Sequence, residues 1–204
     1  MKTKATILNT AIELYKEHGI GNISSRDIAK RMNKSHGNIE YHFNTKEAIL
    51  LAIYKKMSKE ITAYYEQEES GVNSFEKFDL LLHELELFQV KYGFFNLDIM
   101  EISRNYPSVN QLLQKTLNKR KNQMQNYFIG FIKEGLIIDQ NDLKYYIRLQ
   151  HTIRILITFW VNQEGILTSY DFKKPGEMAN HIWGLIFPFM TEKGQNVFNN
   201  LHKN

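Results

Sequence analysis

The sequence contains no cysteine and only three prolines among its 204 residues. The lack of cysteine excludes disulfides and thiolate chemistry, and it is typical of proteins from a reducing compartment. The densest apolar stretches, ILITFWV and IWGLIFPFM, are shorter than the roughly 20 residues that a transmembrane helix needs. No apolar segment follows Lys2 and Lys4, so we see no signal peptide. We therefore expect a cytoplasmic protein without a membrane partner.

Sequence motifs that mark several enzyme classes are missing as well. The chain carries no G-x-G-x-x-G, P-loop, H-E-x-x-H or G-x-S-x-G motif, and its seven histidines are scattered. The nearest grouping of acid–base residues is His83, Glu84 and Glu86, whose spacing indicates a solvated helix face. The sequence therefore predicts no enzyme, no metal site and no cofactor.

The excess positive charge lies at the N-terminal end of the chain. Residues 1–55 hold nine Lys and Arg against five Asp and Glu, whereas residues 56–204 hold 17 of each sign. All of the net charge of +4 is therefore found in the first quarter of the sequence. This distribution is typical of a module that binds a polyanion. The alternative is a chance excess of four charges.

Helix-forming residues dominate and no alternating strand pattern occurs, so the sequence predicts an all-α fold. The predicted helices cover about residues 4–18, 25–32, 36–43, 46–67, 74–92, 108–134 and 141–164, with a last helix after Pro175 that Pro188 should kink. The predicted helix ends are Gly19, Gly135 and Gly165. The predicted N-caps are Ser24, with Asp27 as its capping-box partner, then Ser35, Thr45 and Ser74.

Two of these helices are short and are joined by a tight turn. On a wheel of about 100° per residue, Ile39 and Phe43 form the core-facing stripe of the second helix. The other sides carry Gly37, Asn38, Glu40, Tyr41 and His42. A glycine on an exposed helix face costs about 1 kcal/mol relative to alanine, so we expect another molecule to approach closely there.

The two short helices match a helix-turn-helix, whose second helix enters the major groove of DNA. The N-cap at Ser35 leaves backbone N–H groups free for a phosphate, and Lys46 can meet a second one. The alternative is an ordinary helical corner with a solvated outer face.

Residues 24–50, SSRDIAKRMNKSHGNIEYHFNTKEAIL, resemble the DNA-binding domain of the tetracycline-repressor (TetR) family. The family pattern is T-x-R-D-I-A, a turn, and then S-x-G-x-[IL]-x-x-[HY]-F-x-[ST]-K-E-x-[IL]. The matching residues are Ser24, Arg26, Asp27, Ile28, Ala29, Ser35, Gly37, Ile39, His42, Phe43, Thr45, Lys46, Glu47 and Ile49. The resemblance implies an N-terminal three-helix helix-turn-helix DNA-binding domain at residues 1–50. It also implies a C-terminal helical ligand-binding and dimerisation bundle at residues 51–204, which matches by architecture only.

The resemblance also implies which residues contact a double-stranded DNA operator. The residues that would hold phosphates are Ser25, Arg26, Asn38 and Lys46. Those that would face bases are His36, Gly37 and Tyr41, with His42 at the groove edge. The predicted DNA-binding set is completed by Ser24, Lys34 and Ser35. Phosphate contacts set the register and the salt dependence, and base contacts set the specificity.

Glu40 departs from the family pattern, which usually has a tyrosine that touches a phosphate. A carboxylate would be repelled there. Three interpretations stay open: Glu40 accepts a hydrogen bond from a cytosine amino group, pairs with Lys34 or Arg26, or lies clear of the DNA backbone. We favour the pairing.

Two C-terminal segments, residues 153–161 and 182–190, are apolar on nearly every side. A helix that is apolar all round must be buried all round, and a final helix within one chain can hardly achieve this. We therefore predict a homodimer with a four-helix interface, which the family resemblance also implies. The predicted interface residues are Ile153, Ile157, Trp160, Ile182, Trp183, Leu185, Ile186 and Phe189. Gly184 would allow close helix contact. The alternative is a large intramolecular core.

Residues 56–204 also hold 22 of the 26 aromatic residues. Since family members commonly bind a small molecule in this region, we predict an effector cavity with polar groups among aromatic ones. The predicted lining residues are His83, Phe88, Gln89, Tyr92, Phe95, Met100, Tyr127, Phe128, Phe131 and His151. Plain core packing is the alternative for each.

Together these features predict a homodimeric repressor that binds a near-palindromic operator and is released by a small apolar or aromatic effector. The alternatives are a transcription activator, and a helical enzyme or adaptor that is tethered to DNA.

Overall fold

The computed structural model describes residues 2–66, 71–140, 143–164, 166–170, 172 and 174–203. These residues form ten α-helices and one short 3-10 helix, with an isolated antiparallel bridge between Ile137 and Met190. The predicted all-α fold is therefore confirmed. None of the helices in the described ranges combines the length and the apolar character that crossing a membrane requires.

The helices follow one another along the chain with short connections. Their bounds are α1 (Lys2–His18), α2 (Ser25–Arg31), α3 (His36–His42), α4 (Lys46–Tyr65), α5 (Ser74–Leu97), α6 (Ile99–Asn105), α7 (Pro107–Lys133), α8 (Leu143–Glu164), α9 (Glu177–Ile186), the 3-10 helix Phe187–Phe189, and α10 (Glu192–Leu201).

Most of the predicted helix ends are confirmed. Gly19 and Gly135 follow α1 and α7 with φ angles of 80° and 67°, a conformation that glycine adopts without strain. Ser24, Ser35 and Thr45 each accept a hydrogen bond from the backbone N–H three residues later. These features depend on neighbours in sequence, which is why the local pattern reveals them.

The start of α5 differs from the prediction. Its N-cap is Asn73, whose side-chain oxygen accepts hydrogen bonds from the N–H groups of Phe75 and Glu76, rather than Ser74. Glu76 completes a capping box by accepting from the Asn73 N–H at 2.8 Å. The predicted limits at residues 67, 141 and Gly165 lie outside the described residues.

Two helices, α6 and α10, were not predicted. Pro107 opens α7 at the first helical position, where its missing N–H is not needed, so α6 fits between α5 and α7. The predicted kink at Pro188 is wrong, because α9 ends at Ile186 and the 3-10 helix holds the proline. Thr191 then caps α10 by accepting a hydrogen bond from the Gly194 N–H at 3.1 Å.

Two compact units divide the chain. The first consists of Met1–Thr62 and Val90–Thr116. Its core contains fully buried isoleucines from four helices, namely Ile7, Ile28, Ile39 and Ile53. Each such side chain contributes roughly 1.5–3 kcal/mol through burial, and together they fix α2 and α3 against α1 and α4.

The second unit consists of Ala63–Gln89 and Leu117–Asn204. Trp183 of α9 lies in its core, with the rings of Phe75 and Phe78 at 4.9 and 5.5 Å. The indole Nε1–H donates to the Asp79 carboxylate at 2.7 Å, which satisfies the one polar group of this buried side chain.

Candidate DNA-binding site

Local hydrogen bonds build the helix-turn-helix. Asp27 and Ser24 form a capping box, in which the Asp27 carboxylate accepts from the Ser24 N–H at 2.8 Å and Ser24 Oγ accepts from the Asp27 N–H at 3.3 Å. The hydrogen bonds from Ser24 hold the pKa of the Asp27 carboxyl below its ordinary value. After α2 the chain reverses at Asn33, which has a φ of 52°.

The outer side of α3 is bare. Ile39 on the inner side is fully buried, whereas Tyr41 on the outer side is 85% exposed. A Cβ on Gly37 would meet no atom within 4 Å, so no other part of the described chain covers this position. The Tyr41 ring lies edge-on to the His42 ring at 5.0 Å. The outer side of α3 can therefore approach another molecule closely, and Tyr41 is available to contact it.

Glu40 has an ionisable neighbour within its own helix α3. Its carboxylate lies 3.6 Å from Nδ1 of His36, one helical turn earlier. This contact corrects the prediction of a partner at Lys34 or Arg26, both of which are exposed. An exposed pair contributes little to stability. The contact places Glu40 beside the predicted base-contacting side chain of His36.

Several residues of the predicted DNA-binding set lie on α2, in the turn after it and on α3. Arg26 is exposed on α2, Lys34 is exposed in the turn after it, and Ser25 is half-buried at the start of α2. Ser35 serves as the N-cap of α3, accepting a hydrogen bond from the N–H of Asn38. The side-chain oxygen of Asn38 is buried and has no hydrogen-bond partner in the described structure. The DNA contacts of these residues stay predictions.

Lys46 is turned toward the protein. Its ammonium donates to the Ile20 carbonyl at 2.5 Å and lies 5.8 Å from the centre of the Tyr106 ring. Partial burial lowers the pKa of Lys46, and the nearby carboxylates of Glu101 and Asp98 oppose that shift. The ammonium thus already has partners inside the first unit, and its phosphate contact stays a prediction.

Asp98 supports the site although no sequence pattern pointed to it. Its carboxylate accepts a hydrogen bond from the buried N–H of Ile20 at 2.5 Å, and it packs near Gly19. The bond ties the turn between α5 and α6 to the turn between α1 and α2. Since 78 residues separate the partners, local spacing could not reveal it.

The residues predicted to line an effector cavity are divided between the two units. The first unit contains Tyr92, Phe95 and Met100. Tyr92 donates to the Glu60 carboxylate at 3.0 Å and Phe95 stacks on Tyr54 at 4.9 Å, so both belong to the core, whereas Met100 is 54% exposed. These three side chains are therefore accounted for by packing or lie at the surface.

The second unit contains the other seven, which are His83, Phe88, Gln89, Tyr127, Phe128, Phe131 and His151. Phe128 and Phe131 are buried against each other at 5.3 Å. The Gln89 amide is buried and donates to the Ile157 carbonyl at 2.7 Å. Core packing thus accounts for Gln89, Phe128 and Phe131, whereas Phe88 and Tyr127 are half-buried and His83 is exposed. His151 lines a cavity of about 400 Å³ between α7 and α8.

The acid–base grouping of His83, Glu84 and Glu86 has a structural explanation. The Glu86 carboxylate accepts from the N–H groups of Gly176 and Met178 at 2.6 and 2.7 Å, which caps the start of α9. His83 lies 3.5 Å from the carboxylate of Asp79. The prediction of a solvated face is therefore wrong for Glu86.

The predicted dimer residues are largely buried by the chain itself. Six of them are 9% exposed or less, namely Ile153, Ile157, Trp160, Ile182, Trp183 and Ile186. Leu185 and Phe189 are half-buried. The prediction assumed that the segment 182–190 belongs to the last helix, which its own chain could not cover. That assumption is wrong, because α10 follows α9 and covers it, with Phe198 lying 5.5 Å from Trp183. Apolar side chains that stay exposed on α8 include Ile155 and Phe159.

Comparisons with known proteins agree with this architecture. Residues 7–53 match the family described as "Bacterial regulatory proteins, tetR family", and residues 56–198 match TetR, "Bacterial transcriptional repressor". The HTH-type transcriptional regulator QacR of Staphylococcus aureus is 28% identical over 135 residues, which cover 66% of this chain and 71% of that protein.

Solved structures show the same fold over all or nearly all of the chain. A TetR-family regulator from Marinobacter aquaeolei VT8 has a TM-score of 0.87 at 22% identity, covering 100% of this chain and 98% of that one. A putative regulator from Saccharomonospora viridis in complex with choline has a TM-score of 0.75 at 21% identity, with coverages of 94% and 98%. The ketosteroid regulator KstR2 of Mycobacterium tuberculosis has a TM-score of 0.67 at 14% identity, with coverages of 93% and 96%.

The two family matches together span most of the sequence, and the first of them contains the capped α2 and the bare α3. The chain belongs to the TetR family of bacterial DNA-binding transcription regulators.

Proposed function

We propose that this regulator is a repressor that occupies a near-palindromic operator as a homodimer and leaves it when a small effector binds. The bare outer side of α3 is the observation that carries the DNA-binding part of the proposal. Gly37 leaves space for the duplex and the exposed Tyr41 is available for base contact. A bound repressor dimer excludes polymerase from the promoter. A cytoplasmic location stays a prediction.

Exposed apolar surface on α8 and after α9 supports the dimer. Ile155 and Phe159 of α8 are 48% and 42% exposed, and Phe187 is 42% exposed. Gly184 of α9 is also exposed, with no atom within 4 Å of its Cβ position. A second copy would cover this surface. The two α3 helices of the dimer, one from each copy, would then meet successive major grooves about 34 Å apart.

Two observations support the response to an effector. The solved relative from Saccharomonospora viridis holds choline, and KstR2 is described as a ketosteroid regulator. The second unit of this chain contains the cavity between α7 and α8. An effector causes release if it prefers the conformation that does not fit the operator.

The DNA-binding proposal is tested with the DNA upstream of the gene that encodes this chain. Fluorescence anisotropy and footprinting should show saturable binding, with two protected half-sites about 10 base pairs apart. Tyr41→Ala should blur the preference for bases at one position of each half-site. Leu87→Ala removes another exposed apolar side chain, 65% exposed in α5, and should leave the sequence preference unchanged.

A second pair of variants separates phosphate contacts from base contacts. Lys34 is an exposed member of the predicted DNA-binding set, and we assign it a phosphate contact. Lys34→Gln should weaken binding to all sequences alike and lower the slope of log K against log salt by about 1. Lys133→Gln makes the same change on an exposed lysine at the end of α7 and should have no effect. If Tyr41→Ala and Lys34→Gln gave the same pattern, or if no duplex bound at low salt, the proposal would fail.

A further inference from the structure

The cavity between α7 and α8 has a distinct chemical character. Its volume of about 400 Å³ falls within the range of roughly 300–1,000 Å³ that is usual for small-ligand sites. Three cationic side chains line it, Lys121 from α7 and Arg148 and Arg154 from α8. None of the described residues that line it is an aspartate or a glutamate. The electrostatic potential in the cavity therefore favours an anion.

Arg154 has hydrogen-bonding capacity that the protein leaves unused. The residue is half-buried, and one terminal nitrogen of its guanidinium is buried without a hydrogen-bond partner in the described structure. Buried donors of charged groups are normally satisfied, because an unmade bond is costly. Arg154 also lines the cavity, and the two oxygens of a carboxylate match the fork of a guanidinium.

The rest of the lining combines neutral polar side chains, Asn118, Gln150 and His151, with an aliphatic part. Leu117 and Met124 from α7 and Ile147 from α8 contribute apolar surface, and Met124 is almost completely buried. The lining includes no phenylalanine, tyrosine or tryptophan among the described residues. A flexible hydrocarbon chain fits this apolar part, because methionine and the aliphatic side chains can adapt to the shape of the hydrocarbon.

We propose that this cavity is the effector site and that it takes an aliphatic amphiphile with a single anionic head group such as a carboxylate. The head group pairs with Arg154 and Lys121, and the tail packs on Leu117, Met124 and Ile147. The inference rests on the proposed release by an effector and adds the chemical class of that effector. It separates this chain from the relative that holds choline, which is a cation.

The test uses three probes with the same tail and different heads: decanoate, decan-1-ol and decyltrimethylammonium, each below its micelle concentration. Isothermal titration to the full-length protein without DNA measures their affinities. Decanoate should bind at least about tenfold more tightly than the other two, as expected when a charge-assisted bond is formed. Equal affinities for the three probes would overturn the proposal.

Matched variants locate the binding site. Lys121→Gln and Lys133→Gln remove the same charge from two exposed positions of α7, and only position 121 lines the cavity. Lys121→Gln should weaken decanoate binding by about tenfold, and Lys133→Gln should not. Arg154→Gln should abolish the preference of decanoate over decanol. If Lys121→Gln altered self-association and not decanoate affinity, the cavity would belong to a subunit interface and the inference would fall.

Operator release separates this inference from the function on which it rests. Decanoate should lower the operator affinity of the wild-type protein, and the Arg154→Gln variant should resist this effect. A protein that binds its operator and ignores decanoate would refute the effector class and leave the repressor proposal standing. A protein that binds decanoate in a Lys121-dependent manner and binds no DNA would refute the repressor proposal and leave the site standing.

Discussion

Gly37 is the residue at which stability and DNA binding make opposite demands. Alanine is favoured over glycine in a helix by up to about 1 kcal/mol, and the added methyl group would meet no atom within 4 Å. We therefore predict that Gly37→Ala raises the melting temperature and weakens operator binding at least about tenfold, because the methyl group occupies space that the duplex needs. Thermal melting and fluorescence anisotropy measure the two effects.

The two readouts of Gly37→Ala distinguish a local steric effect from damage to the protein. The dimer fraction in sedimentation equilibrium should equal that of the wild type. A more stable variant with unchanged operator affinity would show that DNA does not approach this part of α3, which would contradict the orientation that we propose.

Residues whose role depends on near neighbours could be predicted from the sequence. The caps at Ser24 and Ser35 belong to this class, since each hydroxyl bonds a backbone N–H three residues later. Lys46 does not, because its partner is the carbonyl of Ile20, 26 residues away. The sequence showed that Lys46 is a cation near the DNA-binding helices, but only the fold shows where the ammonium points.

At the scale of a helix, the capping box of α2 makes a pH-dependent prediction. The pKa of Asp27 is lowered, chiefly by the side-chain hydrogen bond from Ser24. The charged carboxylate therefore stabilises the folded state above its ordinary pKa, and this stability is lost as the pH falls through the lowered pKa. Ser24→Ala should lower the melting temperature at neutral pH, and its deficit should shrink as the pH falls below the ordinary pKa of an aspartate.

Melting curves of the wild type and Ser24→Ala at several pH values provide the measurement. Ser169→Ala, an exposed serine in the segment after α8, serves as the control and should show no deficit at any pH. A deficit for Ser24→Ala that grew on acidification would contradict the assignment of the charged Asp27 as the partner.

The turn between α5 and α6 makes a second prediction at this scale. Asp98→Ala would leave the buried N–H of Ile20 without an acceptor, which costs about 1–3 kcal/mol. We expect a lower melting temperature, faster hydrogen exchange at the Ile20 amide and weaker operator binding. Asp98→Asn keeps a carbonyl acceptor and should retain most of the protection. Equal exchange rates in the two variants would show that the bond does not hold this turn.

Proline marks helix boundaries in this sequence without showing on which side of it the helix lies. Proline at residue 107 begins α7 and proline at residue 188 follows α9, so the same residue type marks a start in one place and an end in the other. Proline removes an N–H and fixes φ, and both constraints are compatible with either position. The hydrogen bonds of the neighbouring caps, such as that of Thr191, decide between them.

At the scale of the whole molecule, the sequence pattern identifies the apolar segments in α8 and α9 but not the part of the protein that buries them. The sequence pattern requires that Trp183 and Ile157 be buried, and they are. The pattern does not show which element buries them. The Phe198 ring of α10 covers part of α9, so less of the apolar surface is left for a partner than the pattern alone suggested.

The surface that stays apolar predicts how two copies associate. If α8 and α9 form the dimer, a charge at Phe159, which is 42% exposed on α8, would be buried without a partner in the interface. Phe159→Glu should therefore weaken self-association at least about tenfold and reduce operator binding, while the monomer stays folded. Sedimentation equilibrium and circular dichroism measure association and folding.

Leu87→Glu is the matched control for this charge, because Leu87 is more exposed, at 65%, and lies on α5. The dimer should tolerate it. If Phe159→Glu lost operator affinity at a concentration where the variant is still dimeric, the loss would not result from dissociation of the dimer. Dissociation by Leu87→Glu with an intact Phe159→Glu dimer would move the interface to α5. In the expected case, operator affinity falls in proportion to the fraction of dimer, because one α3 helix alone reads a single half-site.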